Sequence, residues 1–296
     1  MRPNERVRAW LRRWRRRRAG PARLAGASQV STDTQLLTVR GRTLRVAVRP
    51  GEPGRPPLLL CNGIGASLDL LQPFVDALDP KREVIRFDLP GVGGSPPPAF
   101  PYHVVTLPSL LAGLLDRLGH DQADVLGISW GGGLAQQFAL ARPRRVRRLV
   151  LVATGTGAVM IPGRPGVLRH MLTPRRHRDP AYARRVAGEI YGGSVRTSPD
   201  RAADLLRPAT PPSRLGYLYQ LLAVAGWTTL PLLPLLRPPT LVLAGDDDPL
   251  IPRVNGRIMH RLIRGSRMHV YSGGHLDLIT DPHRLAPVVE RFLDTD

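Results

Sequence analysis

The stretch that decides the fold is residues 125–133, which read VLGISWGGG. An apolar run ends there in the pattern Gly-x-Ser-x-Gly, and a helix-length stretch follows it. Glycines on both sides of the serine favour a sharp turn from strand to helix, because such a turn leaves no room for neighbouring Cβ atoms. The turn would lift the Ser129 hydroxyl to the top of a sheet, at a helix N-terminus that favours negative charge. The stretch therefore predicts a nucleophilic serine, although the bare pattern also suits tight packing or a phosphate cradle.

Around this turn, short apolar runs alternate with helix-length amphipathic stretches from about residue 34 onward. The predicted strands are 35–39, 44–48, 58–61, 83–87, 123–128, 148–153, 240–244 and 268–271. The predicted helices are 70–78, 107–118, 132–141, 254–263 and 282–293. Such alternation is typical of an α/β fold, and we predict a mostly parallel eight-stranded sheet with helices on both faces.

The alternation lapses between residues 155 and 237, a segment with many arginines and prolines and no predicted parallel strand. A long segment of this kind within an α/β chain indicates a helical insertion, which we interpret as a lid. We therefore predict three parts: an N-terminal tail over residues 1–27, a core over 28–154 and 238–296, and the lid insertion over 155–237.

Composition excludes several classes of protein. The 296 residues are 42% hydrophobic and 22% charged, which argues against wholesale disorder. The single cysteine, Cys61, excludes an internal disulfide and a multi-cysteine metal site, and it suits a reducing compartment. The uncharged, strongly apolar run over residues 221–236 contains two prolines and is too short and too broken for a membrane-spanning helix. We therefore predict no transmembrane segment.

Nearly half of the formal net charge of +20 lies at the N-terminus, where the first 23 residues hold ten arginines and one acid. Val7, Trp10, Leu11 and Trp14 recur at helical spacing, which would place them on one face. One interpretation is a basic amphipathic helix on an anionic interface or storage granule. The other is a disordered, solvated arm, or a start codon assigned upstream of the true one. Attraction to nucleic acid would be nonspecific and would fade with salt, so no specific nucleic-acid partner is expected.

A serine hydroxyl is a weak nucleophile at neutral pH, so it needs a histidine base and a carboxylate that orients the histidine. In this architecture the chain order is serine, acid, histidine. Asp246, Asp247 and Asp248 follow the predicted strand 240–244. We prefer Asp248 as the orienting acid, because it lies deepest in the loop before Pro249, whose fixed φ stiffens the backbone. For Asp246 and Asp247 we expect a solvated turn.

Four histidines follow the aspartates, and their positions distinguish them. His260 falls in a predicted helix, His269 in a predicted strand and His283 at a helix start, where packed or surface roles are usual. His275 follows two glycines on a loop at the carboxyl edge of the sheet, where Ser129 also lies. Ligands and catalysis collect at that edge in open α/β sheets. We therefore predict His275 as the general base.

The oxyanion of an acyl-transfer intermediate needs backbone donors. One is expected from the residue after the nucleophile, Trp130, and the second from the loop after an early strand. We assign the second donor to the N–H of Ile64, which follows the predicted strand 58–61. Asn62 and Gly63 would support this loop, although turn formation is the ordinary role of an asparagine there.

In this order, the serine, acid, histidine and oxyanion loop resemble the α/β-hydrolase superfamily over nearly the whole chain from about residue 34. The loop 87–95, FDLPGVGGS, also matches that superfamily. A narrower resemblance is to the intracellular depolymerases of medium-chain-length poly(3-hydroxyalkanoate). It is carried by NGIGA at 62–66, GISWGG at 127–132, GAVMIPG at 157–163, IYGG at 190–193 and AGDDDPLIP at 244–252.

The resemblance implies a serine hydrolase that cleaves the ester bonds of a lipophilic polyester in cytoplasmic storage granules. It assigns Ser129, Asp248 and His275 as nucleophile, orienting acid and base, and the reaction requires no metal or organic cofactor. Two alternatives stay open. One is a carboxylesterase, thioesterase or acyltransferase that uses the same triad on small acyl substrates. The other is a non-enzymatic, arginine-rich binding protein on an inactive hydrolase fold.

Overall fold

A central eight-stranded sheet organises the computed structural model, which describes residues 34–198, 200 and 210–295. Its strands are β1 (Thr34–Val39), β2 (Arg42–Arg49), β3 (Leu58–Cys61), β4 (Val84–Phe87), β5 (Ala123–Ile128), β6 (Val146–Val152), β7 (Thr240–Gly245) and β8 (Arg267–Tyr271). Their spatial order is β1-β2-β4-β3-β5-β6-β7-β8. Strand β2 pairs antiparallel with β1 and β4, and all other pairs are parallel. The predicted mostly parallel sheet is confirmed.

Burial along the strands follows their position in the sheet. Every residue of the inner strands β3, β5 and β7 is buried, whereas the edge strand β1 alternates between buried and more exposed residues. Inner strands of a parallel sheet have helices on both faces, so they require near-continuous apolar runs. The short apolar runs that predict these strands therefore reflect burial on both faces of the sheet.

Helices cover both faces of the sheet. Those among the described residues are α1 (Gln72–Ala77), α2 (Leu107–Leu118), α3 (Trp130–Ala141), α4 (Pro165–Arg169), α5 (Arg175–Arg178), α6 (Pro180–Tyr191), α7 (Ser194–Thr197), α8 (Arg214–Ala223), α9 (Val254–Leu262), α10 (Asp277–Thr280) and α11 (Pro282–Leu293). Leu59 of β3 joins one core cluster with Phe138 of α3, and its neighbour Leu60 joins a second cluster with Phe74 of α1. The sheet thus separates two hydrophobic cores, as the alternation of strand side chains requires.

The helices α4 to α8 lie between β6 and β7, where the strand alternation lapses. Side-chain caps begin two of them: Asp179 accepts from the N–H of Tyr182 at α6, and Ser213 accepts from the N–H of Gly216 at α8. A Cβ added to Gly216 would lie 2.0 Å from the carbonyl oxygen of Gly91, so α8 touches the core backbone directly. The division into tail, core and lid stays a prediction.

The tail prediction falls on residues 1–27, which lie outside the described residues. Across the described part of the chain, no helix is long and apolar enough to cross a membrane.

Candidate active site

Ser129 lies at the junction between β5 and α3, in a backbone conformation that side chains rarely adopt. Its φ is 54° and its ψ is −123°. A residue held in such a sparsely populated region costs on the order of 1–3 kcal/mol and persists only where its surroundings enforce it. Two hydrogen bonds enforce it here: the Ser129 N–H donates to the Val152 carbonyl (2.9 Å), and the Thr154 hydroxyl donates to the Ser129 carbonyl (2.7 Å).

The glycines of the Gly-x-Ser-x-Gly pattern have a direct steric explanation. A Cβ on Gly127 would lie 2.3 Å from the carbonyl oxygen of Gly131. A Cβ on Gly131 would lie 2.1 Å from the carbonyl oxygen of Cys61, in the neighbouring strand. Neither position has room for a side chain, so the strand, the turn and the helix can meet at Ser129 only with glycine on both sides.

The structure brings His275 and Asp248 into contact, with 2.8 Å between Nδ1 and Oδ2. Both residues are buried. The other carboxylate oxygen of Asp248 accepts from the N–H groups of Leu250 (3.0 Å) and Ile251 (2.9 Å), so the acid is oriented on both sides. A carboxylate at Nδ1 assigns the proton to that nitrogen, and it leaves Nε2 as the acceptor of the ring.

The helical insertion holds the histidine loop, which the sequence prediction did not anticipate. The Tyr191 ring stacks on the His275 ring with centroids 6.1 Å apart, and the Tyr191 carbonyl accepts from the His275 N–H (2.7 Å). Behind the loop, Asp277 accepts from the N–H of Gly274 (3.1 Å), and burial raises the pKa of this carboxyl. The IYGG segment already pointed to Tyr191, although not to its contact with the histidine.

The predicted oxyanion loop lies directly beside Ser129. Asn62 closes this loop: its side chain accepts from the Gly63 N–H (2.8 Å) and donates to the Ser67 carbonyl (2.6 Å). Asn62 therefore acts as a turn former and as loop support at once. A Cβ added to Gly63 would lie 3.6 Å from the Cβ of Ser129, which shows how closely the loop approaches the serine.

Most of the predicted site residues line one cavity. Ser129, His275, Asn62, Gly63 and Ile64 all line it. Apolar side chains supply much of the remaining wall, among them Leu70, Met171, Leu250 and Ile279. Trp130 is not among the residues that line it, and its indole N–H donates to the Gln220 carbonyl of α8 (2.9 Å). The structure thus brings Ser129 and His275 to one largely apolar cavity, although among the described residues no hydrogen bond joins the serine hydroxyl to the histidine ring.

Asp246 and Asp247 are exposed, as expected of a solvated turn, but that prediction is incomplete. Asp246 accepts from the N–H of Gly273, just before the histidine (2.9 Å). Asp247 accepts from the N–H of Gly193 (2.8 Å) and from Arg196 (2.9 Å), whose hydrogen bond holds the pKa of Asp247 below its usual range. The two acids tie the acid loop to the histidine loop and to the insertion.

Three further residues near the site bear on its chemistry. Cys61 is buried beneath the oxyanion loop, and burial raises the pKa of its thiol to about 12, so it offers no thiolate nucleophile. Arg176 and Gln220, both buried in the insertion, contact the oxyanion loop. Sequence reasoning missed both, because neither belongs to a motif with a local signature.

Comparisons with known proteins agree with this geometry. Residues 56–282 match the family model described as alpha/beta hydrolase fold. The poly(3-hydroxyalkanoate) depolymerase of Ectopseudomonas oleovorans is 48% identical over 255 residues, which cover 86% of this chain and 90% of that protein. The 3-oxoadipate enol-lactonase 2 of Acinetobacter baylyi is 27% identical over 82% of this chain and 91% of that protein.

Solved structures give the same result. The crystal structure of the enol-lactonase from Burkholderia xenovorans LB400 superposes with a TM-score of 0.76 and 25% identity. The match covers 88% of this chain and 100% of that one. The match to the family model and the close similarity to a curated hydrolase show that the chain belongs to the α/β-hydrolase family.

Proposed function

We propose that this chain is a poly(3-hydroxyalkanoate) depolymerase, a serine hydrolase that cleaves the ester bonds of a lipophilic polyester. The observation that carries the proposal is the high identity to the depolymerase of Ectopseudomonas oleovorans over most of both chains. The motifs on which that resemblance depends, NGIGA at 62–66 and GISWGG at 127–132, line or flank the cavity that contains Ser129 and His275.

In this proposal Ser129, His275 and Asp248 form the catalytic triad. The Ser129 oxygen attacks the ester carbonyl carbon while Nε2 of His275 takes the hydroxyl proton, and Asp248 stabilises the resulting imidazolium. The tetrahedral intermediate collapses, and the alcohol end of the polymer leaves with the proton from His275. Water, activated by the same histidine, then releases the acid from the acyl-serine. The hydrogen bond between His275 and Asp248 supports these roles.

We assign the oxyanion hole to the backbone N–H groups of Trp130 and Ile64. Support comes from the position of Trp130 at the start of α3 and from the closeness of the oxyanion loop to Ser129. Because both donors are backbone groups, replacing the Ile64 side chain costs far less activity than Ser129→Ala.

The insertion, residues 155–237, serves as a lid that receives the polymer. On α8, Leu215, Leu218 and Leu222 are each between 44% and 47% exposed. Their spacing places them on one face, where a surface helix ordinarily carries polar residues. Leu172, which precedes α5, is 68% exposed. Leu172 and Leu218 line a surface cavity separate from the one that contains Ser129. An exposed apolar face of this kind suits an insoluble, lipophilic polymer.

We further propose that the protein acts in the cytoplasm at the surface of storage granules, with the basic tail as its anchor. The charge of residues 1–23 and the spacing of Trp10 and Trp14 support this. Deletion of residues 1–27 should reduce co-sedimentation with granules or anionic vesicles. A variant with both tryptophans replaced by serine keeps the charge and separates the apolar contribution. Equal sedimentation of the truncated and full chains contradicts the anchor.

A hydrolase of small esters is the second candidate, and the structural similarity to an enol-lactonase favours it. The lid leucines and the closer similarity to the depolymerase favour the polymer. Since the curated relatives named above are enzymes, the alternative of a non-enzymatic binding protein finds no support in the comparisons.

The decisive experiment compares hydrolysis of p-nitrophenyl esters of increasing chain length with hydrolysis of a poly(3-hydroxyalkanoate) emulsion. We expect activity on the emulsion and a preference for longer acyl chains, both abolished in Ser129→Ala. Activity confined to short esters would move the assignment to the second candidate. Undiminished activity in Ser129→Ala would exclude the mechanism.

A further inference from the structure

Gln220, a buried residue of the insertion, contacts the two chain segments that carry the oxyanion donors assigned above. Its side-chain oxygen accepts from the N–H of Gly65, the residue after Ile64, at 2.7 Å. Its backbone carbonyl accepts from the indole N–H of Trp130 at 2.9 Å. One residue of α8 therefore connects the oxyanion loop to the start of α3.

Arg176, in α5, holds the same peptide group from its other end. Its guanidinium donates to the Ile64 carbonyl (3.3 Å) and to the hydroxyls of Tyr191 (3.0 Å) and Tyr217 (2.7 Å). The Ile64 carbonyl and the Gly65 N–H belong to one peptide plane. The insertion thus donates to the oxygen of that plane through Arg176 and accepts from its N–H through Gln220. A plane held at both ends cannot rotate without breaking both hydrogen bonds.

Burying these two side chains disfavours the folded state. Arg176 is buried, and among the described residues no carboxylate lies within ion-pair distance of it. Gln220 is 1% exposed, and its side-chain nitrogen has no hydrogen-bond partner within the part of the chain that the structure describes. Buried charges without counter-charges, and buried amides with an unpaired nitrogen, disfavour the folded state. Side chains buried at such a cost point to a role in positioning.

We propose that Gln220 and Arg176 are positioning residues that hold the oxyanion hole from the insertion. The hole is then complete only while the insertion is seated on the core. The inference rests on the proposed serine-hydrolase mechanism. It concerns the orientation of the Ile64 N–H. The peptide that carries this N–H is joined through the Cα of Ile64 to the Ile64–Gly65 peptide, which Arg176 and Gln220 hold. Preorganised donors act on the transition state, so their loosening lowers kcat and leaves KM nearly unchanged.

The test is Gln220→Met, which keeps the volume and removes the side-chain acceptor. Removing an oxyanion donor outright typically lowers kcat by about 100- to 1,000-fold, so loosening one should lower it by about 10- to 100-fold. We expect KM for a p-nitrophenyl ester to stay within about twofold of wild type. Affinity for a trifluoromethyl ketone, whose serine adduct carries an oxyanion, should fall by the same factor as kcat, whereas affinity for the acid product should not change. Arg176→Met should act in the same direction, and the double variant should lose less than the product of the two losses.

A matched control is Gln137→Met. The Gln137 side-chain oxygen accepts from the indole N–H of Trp227 at 2.9 Å, and among the described residues no hydrogen bond joins Gln137 to the oxyanion loop. We expect this control to retain wild-type kcat. All rates are expressed per titrated serine, so that partial unfolding does not mimic the effect.

Failure of the inference is distinguishable from failure of the mechanism. Wild-type kcat and ketone affinity in Gln220→Met, or an equal loss in Gln137→Met, would overturn the positioning role alone. A rise in KM at constant kcat would also overturn it. Inactive wild type, or active Ser129→Ala, would instead overturn the proposed function.

Discussion

The two ends of the sheet are built by different means. At the amino ends of the strands, Arg82 is fully buried and pairs with Glu290 (2.5 Å), Asp294 (2.6 Å) and Asp124 (3.6 Å). Arg147 adds a second ion pair to Asp124 at 2.6 Å. This cluster, which we call the basal ion network, fixes the last helix, α11, to the starts of β5 and β6.

The carboxyl ends depend instead on backbone proximity and short hydrogen bonds. Ser129 is held in a strained turn between glycines, and Gly193 and Gly274 approach so closely that a Cβ on Gly193 would lie 2.1 Å from the Gly274 nitrogen. Asp248, the carboxylate of the predicted triad, forms a hydrogen bond with His275. A cluster of ion pairs around a buried arginine therefore stabilises one end. At the other end, close backbone contacts and hydrogen bonds orient the reactive groups, and ion pairs such as Arg196–Asp247 join the surrounding loops. We therefore expect that substitutions at the amino end change the stability of the fold and that substitutions at the carboxyl end change the proposed catalysis. Four variants test this expectation.

The largest effect is expected at the carboxyl end, from Asp248→Asn. An amide at this position favours the wrong tautomer of His275, because it offers Nδ1 a donor as readily as an acceptor. We expect kcat to fall by about 1,000- to 10,000-fold, which corresponds to about 4–5.5 kcal/mol in activation free energy. The melting temperature should change little. Ester hydrolysis per folded protein and thermal unfolding measure the two quantities, and a fall of less than tenfold would contradict the assignment of Asp248.

Arg82→Met should produce the opposite result at the amino end. It leaves half-buried Glu290 and buried Asp124 with one arginine each, Arg55 and Arg147. Breaking a buried pair typically costs about 3–5 kcal/mol when no other cation remains, so the cost here lies at the lower end of that range, about 3 kcal/mol. We expect a loss of that size in the free energy of unfolding, measured by urea denaturation, with unchanged kcat per titrated serine. Lys81→Met is the matched control, since Lys81 is exposed and pairs with exposed Glu52. A loss of kcat equal to the loss of stability would show that the two ends are coupled.

The basal ion network should also set the acid limit of stability. Burial opposes ionisation of Asp294, but hydrogen bonds from Arg55 and Arg82 hold its pKa below the usual range. A carboxyl with a lowered folded pKa contributes stability above its unfolded pKa of about 3.9, and that contribution is lost as pH falls below it. We therefore expect Asp294→Asn to flatten the decline in melting temperature between about pH 4 and pH 2. An unchanged decline would contradict this role.

The smallest effect is expected on the insertion, from Leu218→Ser. Its side chain is 47% exposed, so the free energy of unfolding should change by less than about 0.5 kcal/mol. Hydrolysis of the polyester emulsion should fall several-fold, while hydrolysis of a soluble ester stays at the wild-type rate. Val270→Ser, at a 41% exposed residue of β8, is the control for loss of an exposed apolar side chain. Equal losses on both substrates would contradict a polymer-docking face.

Much of the fold could be predicted from the sequence, because two-sided burial leaves a strong local pattern. The bounds predicted for β3, β5, α2 and α11 agree with the structure. The start of β6 was predicted two residues late, because Arg147 and Arg148 obscure its apolar pattern. Arg147 serves the basal ion network, which is a tertiary contact. The helix predicted over residues 70–78 is split into a 3-10 turn and α1, which starts at Gln72 with Pro73 in its first turn.

The candidate site was predictable where its geometry follows from chain order. The turn at Ser129 and the pairing of Asp248 with His275 needed only the order of strands and loops. The contributions of Tyr191, Arg176 and Gln220 were not predictable. They come from the insertion, whose seating on the core depends on long-range packing and leaves no periodic signal.

The close glycine contacts between insertion and core have a consequence for protein engineering. Gly216 meets Gly91, and Gly193 meets Gly274, at distances that no Cβ can occupy. An insertion joined in this way is not an exchangeable cassette. Grafting the corresponding segment of another hydrolase onto this core would require glycine, or an equally close backbone, on both sides of each of these two contacts. Chimaeras that keep glycine at both contacts should fold. In chimaeras without these glycines, the added side chains would hold the grafted segment away from the serine.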